Sequence, residues 1–184
     1  MSTQPLQQAI SVSRGVLANV DASQLSSSTP CASWDVAALI NHMVGAQGFF
    51  AAGVTGSQPP AEADHASGDY LAAFDQASQA CLDGFGAEGA LEKMYELPFG
   101  KMPGSAFMGL AVTDTFQHAW DLAKATGQDT DLAPELAQAL LAQSKMAVSD
   151  AFRGPEGAPF GAEQQAPEGA SAADQLAAFL GREV

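Results

Sequence analysis

The sequence predicts an all-α fold, a four-helix up-and-down bundle with an extra short helix and long loops. Apolar residues recur at spacings of three and four through several long segments, which is the period of a helix. The β-branched runs and the Gly-rich first turn of a doubly wound α/β fold are missing from the sequence. A chain of 184 residues suffices for one substantial core, so we expect a single domain over residues 1–184.

The first half of the chain predicts three helices, separated by a Ser-rich loop and a Pro- and Gly-containing connection. Periodicity and cap residues place them at residues 5–20, from Ser33 as N-cap to about Ala52, and at residues 68–85. His42 shares a face of the second helix with Leu39 and Phe49, so its side chain should point inward. His65 lies in the connection over residues 53–66 and is expected to be exposed to solvent.

The second half predicts a long ordered loop, a central apolar helix and two further helices. Residues 94–104 are punctuated by Pro and Gly, which favours a loop with a short extended piece at Lys93–Leu97. The central helix spans residues 106–126 and meets Gly127 at the usual C-cap position. The remaining predictions are a fifth helix from near Pro134 to near Phe152, a wandering surface segment at residues 153–169, and a short closing helix capped by Ser171.

Three ionisable side chains interrupt the central helix and indicate where function should be sought. Asp114, His118 and Asp121 are spaced by four and three residues, so they project from one side of the helix. Two interpretations are open for them, because buried charged groups need partners. An Asp-x-x-x-His pair can supply two ligands to a divalent ion, or it can form a hydrogen-bonded pair without metal. Asp121 is placed to accept the second imidazole proton.

Composition argues against several classes of function. Lys and Arg number 7 against 21 Asp and Glu, for a formal charge of −14, which repels phosphate backbones and anionic lipid. We find no apolar run of membrane-spanning length and no targeting segment. We therefore expect a cytoplasmic protein with no nucleic-acid partner and no membrane partner. Of the two cysteines, Cys81 is expected in the core and Cys31 as a peripheral thiol.

Two motifs resemble a known family: Thr29-Pro-Cys-Ala-Ser-Trp-Asp-Val-Ala-Ala-Leu-Ile-Asn-His42 and His118-Ala-Trp-Asp-Leu-Ala-Lys-Ala-Thr-Gly127. They are similar to the DinB-like metal-binding superfamily and, within it, to proteins related to mycothiol-dependent maleylpyruvate isomerase. The resemblance implies a bundle that binds a divalent cation through His42, Asp114 and His118. Zinc is the first expectation for these ligands, with nickel, iron or manganese as alternatives. Three protein ligands leave positions open for a thiol or a substrate.

The resemblance also implies a thiol-dependent isomerase or transferase acting on a small electrophile, with a low-molecular-weight thiol such as mycothiol as cofactor. In the family's mechanism the thiol adds to the substrate and permits rotation about a double bond. Relatives often pair, so a homodimer is one expectation. The alternatives are a noncatalytic metal- or small-molecule-binding bundle, and a structural bundle whose His and Asp side chains bond only one another. No catalytic or thiol-binding residue follows from the sequence.

Two departures from the family pattern bear on the substrate. The isomerase has an additional C-terminal domain that contributes to its substrate site, whereas this chain ends soon after its sixth predicted helix. Members of the family also often have a basic residue where this chain has Ala37. The cationic side chains expected near the bundle are Arg14, Lys93, Lys101 and Lys124, so a dianion such as maleylpyruvate finds few clamps.

Three further side chains near the motifs have structural interpretations. Trp34 and Trp120 are expected to be core anchors that set helix positions. Asp35 is expected to be a helix cap or a hydrogen-bond acceptor beside a metal ligand, and not a catalytic base.

Overall fold

The structure, a computed structural model, describes residues 2–31, 33–154, 158 and 160–184. Across these residues the regular structure is helical except for one antiparallel hairpin, which confirms the predicted all-α class. The helices are α1 (Gln4–Leu17), α2 (Val36–Thr55), α3 (Tyr70–Gly86), α4 (Gly104–Thr126), α5 (Pro134–Ala147) and α6 (Ala172–Phe179). The strands are β1 (Met94–Leu97) and β2 (Gly100–Pro103), and short 3-10 turns occupy Ala22–Gln24 and Asp150–Phe152. The four-helix count and the single-domain boundary stay predictions.

Helix α4 is the central element of the packing. It contacts α1 and α2 along its length and touches α6 and β2 at its ends. Phe107, Phe116 and Trp120 are fully buried on it, because its apolar residues cover most of its circumference. The core cluster includes residues from all six helices. Polar side chains on α4 are therefore held by a helix that has little freedom to move.

Helix α2 begins at a different cap from the predicted one. Asp35, and not Ser33, is the N-cap residue, and its carboxylate accepts a hydrogen bond from the Ala38 amide at 2.8 Å. Ser33 has a positive φ of 70° and lies before the helix. A carboxylate at the cap also interacts favourably with the positive end of the helix dipole. The helix ends at Gly56 in the left-handed conformation, one turn later than predicted.

By length and composition alone, α2 is apolar enough to cross a membrane, with a mean hydropathy of 1.2. This amends the expectation that no segment of the chain approaches that limit. The same helix packs against α3 and α4, and core helices of soluble proteins also pass this test. The hydropathy of α2 is therefore weak support for a membrane span.

The predicted long loop before α4 is a hairpin, so the loop prediction was wrong there. Strand β1 includes most of the predicted extended piece, and it pairs with β2 in the register Tyr95↔Met102. Pro and Gly exclude a segment from a central strand, but both strands of a two-stranded hairpin are edges. The Tyr95 hydroxyl donates to the Ala90 carbonyl at 3.1 Å, which ties the hairpin to the turn that precedes it.

The C-terminal segments follow the prediction in part. Helix α5 ends at Ala147, earlier than predicted, because Val148 is already extended. The predicted surface segment at residues 153–169 includes positions 155–157 and 159, which lie outside the described residues. Ser171 does cap α6, accepting a hydrogen bond from the Asp174 amide at 3.0 Å, so this prediction is confirmed.

Replacing Gly104 by Ala should destabilise the protein by about 1–3 kcal/mol, the usual cost of overpacking. A Cβ at this first residue of α4 would collide with the Ala90 carbonyl oxygen, and that backbone atom cannot move aside cheaply. Gly109→Ala is the matched control on the same helix, since its Cβ would meet only the end of Gln143 at 3.9 Å. Urea unfolding should show the control unchanged or up to about 1 kcal/mol more stable. Equal effects of the two substitutions would contradict the packing described for Gly104.

Candidate metal centre

Helices α2 and α4 bring His42, Asp114 and His118 together. His42 Nε2 lies 3.6 Å from Asp114 Oδ1, and His118 Nε2 lies 3.7 Å from the same oxygen. All three atoms are within 4.8 Å of one another. The inward orientation predicted for His42 is thus observed, and the three side chains named as metal ligands form one cluster.

The cluster fits a divalent cation better than a hydrogen-bonded triad. Both distances to Asp114 Oδ1 exceed hydrogen-bonding range. His42 Nε2 is buried and has no hydrogen-bond partner among the described residues. Ligand bonds of 2.0–2.1 Å in a tetrahedral zinc site separate two nitrogen or oxygen ligands by roughly 3.3 Å. Each imidazole Nε2 therefore needs to approach Asp114 Oδ1 by only a few tenths of an ångström for the two atoms to share a cation.

Asp121 orients His118 from the opposite side of the ring. Its Oδ2 lies 3.0 Å from His118 Nδ1 and is fully buried. A carboxylate can only accept here, so Nδ1 carries a proton and Nε2, which faces Asp114, is the nitrogen that a metal would use. This is the role predicted for Asp121, as an acceptor of the second imidazole proton.

Arg182 and Cys31 also belong to this region, and the sequence reasoning missed both. Arg182 donates from Nε to Asp121 Oδ1 and from Nη2 to Asp121 Oδ2, each at 3.1 Å. Cys31 Sγ lies 3.2 Å from Asp121 Oδ2 and 3.8 Å from His118 Nδ1, so Cys31 is not a peripheral thiol. A buried carboxylate without an assigned cation was the available signal, since such a group needs a countercharge.

Hydrogen bonds in the segment just before α2 position Cys31 beside the candidate metal centre. The Thr29 hydroxyl accepts from the Cys31 amide at 3.1 Å and lies 2.9 Å from the Trp34 carbonyl, to which it can donate. The Thr29 hydroxyl thus links the backbone of Cys31 to the backbone of Trp34. The Thr-Pro-Cys motif therefore sets the path of the chain towards Asp121.

A second group that could hold a cation, formed by Cys31, His118 and Asp121, is the weaker candidate. Both oxygens of Asp121 already accept hydrogen bonds from the Arg182 guanidinium. A cation there would lie beside that positive charge and compete for the same oxygens. Asp114 has no Arg or Lys partner among the described residues, so the first group is the better site.

The charges of the cluster are strongly coupled. Burial lowers the pKa of His118, but hydrogen bonds with Asp121 and Cys31 and the charges of Asp114 and Asp121 raise it to about 10. Burial raises the pKa of Asp114, yet the imidazoles of His42 and His118 hold it below its usual value. The pKa of Asp121 is depressed despite burial, through His118 and Arg182. Without metal, the imidazole of His118 is therefore protonated at neutral pH.

Cation affinity should consequently rise with pH. A protonated His118 cannot ligate, so binding must release its Nε2 proton. With a pKa of about 10 in the metal-free protein, one released proton makes the affinity increase about tenfold per pH unit below that value. Zinc titrations against a competing chelator at pH 6, 7 and 8 measure the slope. A flat profile would mean that His118 is neutral before binding, or that it is not a ligand.

The cluster lies at one side of a cavity of about 1510 Å³. Trp34 stacks beside both imidazoles, with ring centroids 4.7 Å from His42 and 5.8 Å from His118. Trp34 is half-buried, packs against the core and also lines the cavity, so the predicted core anchor describes only one side of this residue. Trp120 is fully buried and donates to Asp174 at 2.8 Å, as a core anchor should. His65 is half-buried on the cavity wall and not fully exposed as predicted.

Comparisons with known proteins place the chain in a family. The family described as the mycothiol maleylpyruvate isomerase N-terminal domain matches residues 6–123. Two uncharacterized proteins from strains of Mycobacterium tuberculosis are 46% identical over 172 residues, which cover 92% of this chain and 91% of each relative.

The solved structures of the mycothiol-dependent maleylpyruvate isomerase and of a histidine-to-alanine mutant share the fold. Each superposes with a TM-score of 0.55 at 16% identity, covering 76% of this chain and 66% of the isomerase. The matched region thus spans just under two thirds of the isomerase. The match over residues 6–123, more than half of the chain, shows that it belongs to the mycothiol maleylpyruvate isomerase N-terminal domain family.

Proposed function

We propose that the protein binds a divalent cation through His42, Asp114 and His118 and uses it, with a low-molecular-weight thiol such as mycothiol, in an isomerase or transferase reaction on a small electrophile. The observation that carries the proposal is the buried His42 Nε2, which no described residue hydrogen-bonds, beside Asp114 and His118 at the wall of a large cavity. Membership of a family named for a mycothiol-dependent enzyme supports the choice of thiol. Zinc is our first candidate for the metal.

Each side chain of the proposed site has a role that follows from its position. A bound cation would favour the thiolate form of a coordinated thiol, the nucleophile that attack on an electrophile needs. Asp121 holds the proton of His118 Nδ1 and so keeps Nε2 available as a ligand. Trp34 covers the two imidazoles from one side, which limits the access of water there. The open side of the cluster faces the cavity, where thiol and substrate would meet.

His42→Ala should abolish most metal binding while leaving the helical content unchanged. His42 is partly exposed and contributes a ligand, so the core does not depend on it. His65→Ala is the matched control, because His65 lines the same cavity and belongs to neither candidate cation group. Elemental analysis of untagged proteins gives the metal content. An unchanged stoichiometry in His42→Ala would remove this residue from the site.

The cobalt-substituted protein tests the thiol. Coordination of a thiolate should add a sulfur-to-metal charge-transfer band when a small thiol is titrated in. The band should be absent with the corresponding alcohol. A cobalt protein whose spectrum does not respond to thiol would favour the alternative of a noncatalytic metal- or small-molecule-binding bundle.

A further inference from the structure

We infer that the cavity selects uncharged or cationic ligands with an apolar body and discriminates against dianions. The inference rests on the proposed function only for where the reacting end of the ligand lies. Its basis is the distribution of charge and apolar surface around the cavity.

The described wall of the cavity offers no unpaired Arg or Lys side chain that could bind an anion. Arg182 is the one Arg or Lys among the described lining residues. Its guanidinium is engaged by both oxygens of Asp121 and by the Leu180 carbonyl at 3.2 Å, and its side chain is only 16% exposed. A second anion would have to compete with a buried ion pair to reach it.

Negative charge instead lines the entrance and the floor. Glu62 and Asp64 are exposed residues of the connection between α2 and α3 and line the cavity, while Asp114 lies in the metal cluster. A divalent cation bound to Asp114 would leave one net positive charge. This is less than the two negative charges of Glu62 and Asp64 at the rim of the cavity. The first carboxylate of a dianion could reach the cation, but the second would be repelled by Glu62 and Asp64 and would find no unpaired Arg or Lys on the described wall.

The remaining wall suits an apolar body. Phe49 and Phe99 face one another with ring centroids 6.3 Å apart, and Leu110 continues this side of the cavity. Phe99 and Leu110 are 55% and 41% exposed, so a ligand that covers them gains from the removal of apolar surface from water. Pro60 packs closely against Gly48 of α2, which holds the connection with its acidic residues over this side of the cavity. The preferred ligand is thus an uncharged molecule with an apolar or aromatic body, and not a dicarboxylate.

Charge is tested with two unreactive probes built on one aromatic core, dimethyl terephthalate and the terephthalate dianion, whose two carboxylates point apart and cannot both bind one cation. Equilibrium dialysis with wild-type protein at low salt should show the diester binding at least about tenfold more tightly. The Glu62→Gln/Asp64→Asn double variant should bind the dianion more tightly and so reduce this affinity ratio several-fold. Both positions are exposed, so the variant should fold normally. Phe99→Ser should weaken the diester several-fold. Equal binding of both probes, or a ratio unchanged in the double variant, would overturn the inference.

The same probes on His42→Ala protein distinguish this inference from the proposed function. The rim carboxylates and the aromatic wall do not depend on metal, so the preference for the diester should persist there. A wild-type protein that holds no metal but keeps the preference would refute the proposed function alone. A metal- and thiol-binding protein without the preference would refute this inference alone.

Discussion

Arg182→Met should destabilise the protein by about 3–5 kcal/mol, the cost of leaving one partner of a buried ion pair alone. Asp121 is completely buried and Arg182 only 16% exposed, so water cannot replace the guanidinium. The substitution removes both hydrogen bonds of 3.1 Å to Asp121 and the one to the Leu180 carbonyl, and it leaves an unbranched apolar side chain. Because the pair joins the C-terminal segment to α4, helix α6 should also lose protection. Chemical unfolding and amide hydrogen exchange measure the two effects.

Arg14→Met is the matched control for this experiment. Arg14 also pairs with a carboxylate through two nitrogens, at 2.8 Å and 3.0 Å from Asp75. That pair is exposed to solvent at both ends, where such pairs contribute little. The control should therefore unfold like the parent protein. If both methionine variants lose the same stability, the burial of Asp121 is not what makes Arg182 important.

Asp114→Asn should nearly abolish cation binding, whereas Asp121→Asn should weaken it by about 10- to 100-fold, as expected for a residue that orients a ligand. Asp114 Oδ1 lies 3.6 Å from His42 Nε2 and 3.7 Å from His118 Nε2, and an amide oxygen there lacks the negative charge. Asp121 instead contacts the far nitrogen of His118. Zinc titration of both variants beside the parent protein separates these roles.

Two checks keep this comparison interpretable. Circular dichroism must show that Asp121→Asn is folded, since Asp121 also holds Arg182. Asp64→Asn serves as a control for the loss of one carboxylate at the same cavity, and it should bind zinc like the parent. Loss of zinc in Asp121→Asn with normal binding in Asp114→Asn would reverse the assignment of ligand and orienting residue.

Local pattern by itself determined the helical class, the central helix and half of the candidate site. Apolar periodicity requires only neighbouring turns, so α4 ends at Gly127 as predicted. The relation among Asp114, His118 and Asp121 is likewise set within two turns of one helix. For this reason the proximity of Asp114 and His118 and the contact of Asp121 with His118 could be predicted without a fold.

Only the tertiary structure decided which distant side chains complete the centre. Cys31 and Arg182 reach Asp121 across 90 and 61 residues of sequence, and neither position carries a local signal for that contact. Trp34 was predicted to be a core anchor from its residue type alone. Residue type does not determine whether an aromatic side chain faces the core or a cavity. The hairpin before α4 was missed for a related reason, since strand pairing joins residues whose own propensities are poor. Packing of α2 on α4 and the path of the C-terminal segment determined these contacts, and both depend on the whole core.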